Sequence, residues 1–142
     1  MDAQAQQAVR IVRILQLSFL IAGAMFIFVA VRIPAKASAQ ASPAVELSIS
    51  IVALAAIAAG FLVPKLIAPP AEPNLPASSV SAPVKQWFTR CVLSLAFFDV
   101  CNLFALVLHF LAARARVVEL IFALGMLSLI FWNPGTPHPA GE

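Results

Sequence analysis

Asp99 is the residue best placed to do chemistry, because it is the one acid inside an apolar stretch running from Cys91 to about Ala113. An ionised carboxylate near the centre of a bilayer costs roughly 2.5 to 3.5 kcal/mol, so such a group must be protonated, paired or turned toward a wet cavity. At 100° per residue along a helix, Asn102 falls about 60° from Asp99 and His109 about 80° from it, with Cys91 on the same side. The polar residues of this stretch therefore form one stripe, which should face protein or water rather than lipid. Two readings follow. In the plainer one Asp99 is structural glue, protonated and hydrogen-bonded to Asn102 or a backbone carbonyl, in the manner of interhelical bonds that average about 0.6 kcal/mol. In the other, Asp99 takes up and releases a proton or a small cation, with Asn102 and His109 as further members of an ion-binding set. His109 would stand about 15 Å along the helix from Asp99, so only a chain of waters could join the two. Taken alone, His109 reads as an interfacial histidine, and the second intramembrane histidine that a haem would need is absent from the sequence.

Other chemistry finds little material. There is no glycine-rich phosphate loop, no serine with a histidine and an acid to activate it, and no cluster of metal-spaced ligands. Neither a metal nor another cofactor is expected, and the chain is not expected to be an enzyme. Cys91 and Cys101 lie ten residues apart on one expected helix, too far to bridge, and read as small buried apolar residues.

The surrounding composition explains why Asp99 stands out. Of 142 residues, 62% are hydrophobic and only 11% charged, and the mean hydropathy is +0.97. That is more apolar side chain than a soluble domain of this size can hide, so the expected class is an all-α integral membrane protein with the lipid bilayer as its first partner. The net charge of +3 does not indicate a nucleic-acid partner, because the basic residues come in ones and twos beside apolar runs. Arg13 and Arg90, with Trp87 and Trp132, read as membrane-interface anchors.

Four transmembrane helices in two antiparallel hairpins are expected. After a cytoplasmic segment 1–13, the first hairpin covers 14–67, with spans over about 14–31 and 47–67. The first run, Ile14 to Val31, would rise about 27 Å as a helix, close to the hydrocarbon thickness. The second carries Ala55, Ala56, Ala59 and Gly60 at four-residue spacings, a helix-packing pattern that lets a neighbour come close. A linker over 68–86, rich in proline, separates it from the second hairpin over 87–132, with spans over about 91–113 and 117–132. The last of these is short and holds Glu119 in its first turn. The tail over 133–142 reads as disordered, and His138 in it as merely solvated. Glu46 and Glu119 should make ordinary exposed ion pairs with Arg32, Arg114 or Arg116 at headgroup level. Five basic residues at one set of helix ends against four at the other favour a bacterial-type inner membrane with both termini cytoplasmic. A competing reading takes the first run as a secretory signal cleaved near Ala35-Lys36-Ala37-Ser38, although that run is longer than the usual signal core and Arg32 separates it from the site.

The run Leu95-Ala96-Phe97-Phe98-Asp99-Val100-Cys101-Asn102-Leu103-Phe104-Ala105-Leu106-Val107 resembles the carboxylate-bearing helix of the proteolipid ring subunits of rotary ATP synthases. The resemblance covers one helix of four. It implies that Asp99 is an ion-carrying carboxylate framed by Leu103, Phe104, Ala105, Leu106 and Val107. Three features differ from that family: the first helix here has only Gly23 where the family's partner helix is glycine-rich, the turn after Asp99 reads Ala112-Ala113-Arg114-Ala115-Arg116 rather than Arg-Gln-Pro, and Asp99 lies on the first helix of its hairpin rather than the second. Setting Ser18 against Ser94 also places Gly23 opposite Asp99, a pattern of hairpin duplication.

The first functional expectation is a non-catalytic subunit or partner of a larger membrane assembly, bound to other subunits or to copies of itself. Its packing surfaces would be the alanine-rich second helix and the polar stripe of the third. The alternative is a proton- or cation-handling protein with Asp99 as the carrier.

Overall fold

In the computed structural model, which describes residues 3–34, 41–67 and 82–135, the chain is all-helical. The four helices are α1 (Ala3–Arg32), α2 (Pro43–Leu66), α3 (Ala82–Phe110) and α4 (Ala115–Phe131). The expected cleavage site, most of the proline-rich linker and most of the tail lie outside the described residues.

Three of these helices, α1, α2 and α3, are long and apolar enough to cross a membrane. Many of their large apolar side chains point outward, including Ile14, Leu17, Ile21, Met25 and Phe28 along one face of α1. In water such a face would be untenable; in hydrocarbon it is the ordinary outer surface. This is a membrane protein. The fourth helix has 17 residues and is the shortest.

The helix limits follow from local chemistry. Helix α1 starts at Ala3 rather than near Ile14, because the Ala, Gln and Val residues ahead of the apolar run suit a helix as well as the run does. It stops at Arg32, just before Pro34. Ser42 caps α2, its hydroxyl accepting from the Val45 amide at 3.4 Å, with Pro43 in the first turn, where its missing N–H does no harm. Helix α3 begins at Ala82, so residues 82–86 of the expected linker are helical and Pro83 falls in a first turn that tolerates it. Its far end closes with the Ala112 amide bonded to the His109 carbonyl and the Ala113 amide to the Leu108 carbonyl, each at 3.0 Å. This double closure needs a left-handed residue at Ala112, which duly has φ of 53°.

Contacts at the helix ends sort them into two groups. At one end Trp87 Nε1 donates to the Pro134 carbonyl at 3.0 Å, Gln16 Nε2 donates to the Leu129 and Trp132 carbonyls, and Arg90 donates to the Ile67 carbonyl. At the other, the Ala41 amide bonds the Leu111 carbonyl, His109 Nε2 donates to the Ile33 carbonyl, and Glu46 meets Arg114. Helix α3 packs on α1, α2 and α4, whereas no Cα of α1 comes within 8 Å of one of α2. Among the described residues, the first two helices are therefore not a packed pair; α3 holds them apart.

Candidate functional site

Asn102 is where three helices meet. It is fully buried, and glycines from two neighbours face it: Gly23 of α1 and Gly125 of α4. A Cβ on Gly23 would lie 3.0 Å from Asn102 Nδ2 and 2.6 Å from Met126 Sδ, and one on Gly125 would collide with Asn102 Oδ1. Only glycine fits at either position without displacing the amide. The contacts made are poor for so buried a group. Nδ2 approaches Met126 Sδ at 3.9 Å, a weak acceptor, and Oδ1 has no partner among the described residues.

Asp99 lies one turn earlier on α3. It is half-buried, and its Oδ1 is buried with no partner among the described residues. On the wheel it sits between the buried Leu95 and Asn102 on one side and the exposed Leu103 and Val100 on the other, at the border between the bundle interior and the outer face. Two acceptor oxygens, one turn apart, thus lack a donor in the apolar middle of the molecule. A proton carried by Asp99, a water, or a small cation would satisfy either oxygen.

The remaining stripe residues are elsewhere engaged. His109 bonds the Ile33 carbonyl at 2.8 Å and sits edge-on to Phe110, anchoring the end of α1 well away from Asp99. Cys91 and Cys101 are free and buried, and the Cys101 thiol leans on the Ile121 carbonyl at 3.6 Å. Within the frame implied by the ring-subunit resemblance, Ala105 is buried, Phe104 and Leu106 are half-buried, and Leu103 and Val107 are exposed. No group of three metal-ligating side chains occurs among the described residues.

The small residues of α2 divide. Ala53, Ala56 and Gly60 are buried, with Phe98 of α3 packed where a Gly60 side chain would go; Ala59 is half-buried, and Ala55 faces outward. Of the expected interface anchors, Arg13 is exposed and reaches Gln16 at 3.1 Å and Asn133 at 3.4 Å, while Arg90 is half-buried. Glu46 departs from expectation. It is buried, and its two oxygens take the Arg114 Nε–H at 2.8 Å and the Arg114 amide at 3.1 Å. Because Arg114 is the N-cap of α4 and supplies no side-chain cap of its own, Glu46 places a carboxylate on the positive end of α4. Glu119 is exposed.

Sequence reasoning passed over two residues. Ser94 donates to the Gly60 carbonyl at 2.8 Å, the carbonyl that Pro64, four residues on, leaves without its helical amide. Gln16 is buried and ties α1 to the end of α4. The proline was a usable signal, since it announces an orphan carbonyl four residues back that some donor must reach. Gln16 gave only its polarity.

No known protein family, curated protein or solved structure matches the chain.

Proposed function

We propose that the protein is a small polytopic membrane protein that binds a proton or a small cation at Asp99, with Asn102 as the neighbouring acceptor. What carries the reading is the pair of buried, unpartnered oxygens at Asp99 and Asn102 near the middle of α3. Structural glue should pair these oxygens with a donor, as Ser94 and Gln16 pair with the carbonyls to which they donate, and none is found among the described residues. The ring-subunit resemblance points to the same residue. His109 plays no part in the site. In this reading α4 also crosses the membrane, consecutive helices run antiparallel, and the basic end carrying Arg13, Lys65 and Arg90 faces the cytoplasm of a bacterial-type cell.

The test uses dicyclohexylcarbodiimide, which adds to protonated carboxyls in apolar surroundings. The full chain in liposomes should be labelled at Asp99, with labelling falling as pH rises, or on adding sodium if a cation competes. Asp99→Asn should abolish the adduct and any proton flux while the protein still folds. An unlabelled Asp99 across the pH range, with equal flux in Asp99→Asn, would sink the proposal.

Membership of a larger assembly is favoured by a different observation. Because α1 and α2 are not closely packed on each other, Val100, Leu103, Val107 and Phe110 of α3 lie exposed, with Asp99 at the border. The surfaces expected to serve a partner, the buried small residues of α2 and Asn102, are already used within the chain. Native mass after gentle extraction distinguishes a lone chain from one with stoichiometric companions.

A further inference from the structure

A cleft of about 390 Å³ opens where α2 ends, α3 begins and α4 ends. Lys65 and Arg90 line it with Trp87 and Trp132, and Phe61 and Phe131 flank it; no acidic residue is among its lining. The one ion pair among the described residues, Glu46 with Arg114, is at the opposite end of the bundle. Arg90 donates a guanidinium N–H to the Ile67 carbonyl, but its Nε–H is buried with no partner among the described residues. Lys65 is exposed and can swing its ammonium toward the headgroup level. The Trp87 indole N–H is taken by the Pro134 carbonyl, so this ring offers the cleft its face and edge rather than a donor. Phe61 and Phe131 are exposed, joining the cleft to the apolar outer surface.

Two cations without a carboxylate, a guanidinium N–H in need of an acceptor, and an apolar flank describe a ligand with an anionic oxygen-rich head and a hydrocarbon tail. We propose that this cleft binds the headgroup phosphate of an anionic phospholipid, with Lys65 and Arg90 holding the phosphate and an acyl chain lying against Phe61 and Phe131. The placement suits a bilayer interface, where basic pockets between transmembrane helices take anionic headgroups. The site is independent of Asp99 and stands whether or not an ion is carried there.

Native mass spectrometry of the full chain in mild detergent tests it, with phosphatidylglycerol and phosphatidylcholine of matched acyl chains as probes and glycerol 3-phosphate as the tailless competitor. Phosphatidylglycerol should be retained in preference to phosphatidylcholine, and Lys65→Gln should weaken that retention about fivefold. Lys65 is exposed and makes no hydrogen bond or ion pair among the described residues, so this variant removes no internal bond. Arg116→Gln at the other end should leave retention unchanged. Equal retention of the two lipids, or an indifferent Lys65→Gln, overturns the proposal. Displacement of phosphatidylglycerol by equimolar glycerol 3-phosphate also overturns it, because the site would then take soluble phosphate esters.

Discussion

The two faces of α3 treat polar groups in opposite ways. Toward α2, Ser94 answers the carbonyl that Pro64 strands at Gly60, and Phe98 fills the space that the glycine leaves. Toward α1 and α4, Asn102 is clasped between Gly23 and Gly125, yet its oxygen and that of Asp99 go unanswered. In hydrocarbon a satisfied polar group holds helices together, while an unsatisfied one must recruit something the chain does not supply. The first face is a joint; the second is where, in the proposed function, a proton or small cation would bind.

The comparison breaks most readily at the joint. Gly60→Leu should drive a side chain into the Phe98 ring, whose nearest atom would lie 2.5 Å from a Cβ, and destabilise the protein by about 3 kcal/mol in detergent unfolding. Ser94→Ala leaves the Gly60 carbonyl orphaned and should cost about 1 kcal/mol. Adding Pro64→Ala restores an amide four residues on, so in that background the cost of Ser94→Ala should shrink toward zero. A cost unchanged by Pro64→Ala would show that the hydroxyl is not there for the proline. Ala112→Gly, at the turn beyond both faces, should gain about 1 kcal/mol in the same assay by removing a Cβ from a left-handed backbone. Smallest of all is the predicted effect of Asn102→Leu. Replacing a poorly bonded amide with an apolar side chain of similar size should leave stability within about 0.5 kcal/mol, while altering carbodiimide labelling of the neighbouring Asp99. A large loss there would mean that Asn102 is as well bonded as Ser94 and that the contrast between the two faces is false.

The helices themselves were legible, because a long apolar run has few alternatives in a membrane. Their limits were less so. Polarity ahead of Ile14 and prolines ahead of Cys91 looked like helix boundaries, but Ala3 to Arg13 contains no breaker, and a proline in a first turn is compatible with a helix. Asp99 and Asn102 could be found from the single helix that carries them. Arg114 was among the partners expected for Glu46, but the burial of that pair was not legible, nor were the Gln16 bonds to Leu129 and Trp132, since these groups lie 68 and at least 113 residues apart and no periodicity in one helix reports on another. The same holds for the glycines, where Gly23 fell opposite Asp99 in the sequence register but meets Asn102 in three dimensions.

The separation of α1 from α2 bears on how the protein is made. Helix α1 is synthesised before α2 yet is not packed against it. Its contacts, including the Gln16 bonds to Leu129 and Trp132, wait for α3 and then for nearly the last described residues. In the order of synthesis α1 therefore gains its described helix contacts only once α3 has been made, and its contact with α4 comes last among these four helices.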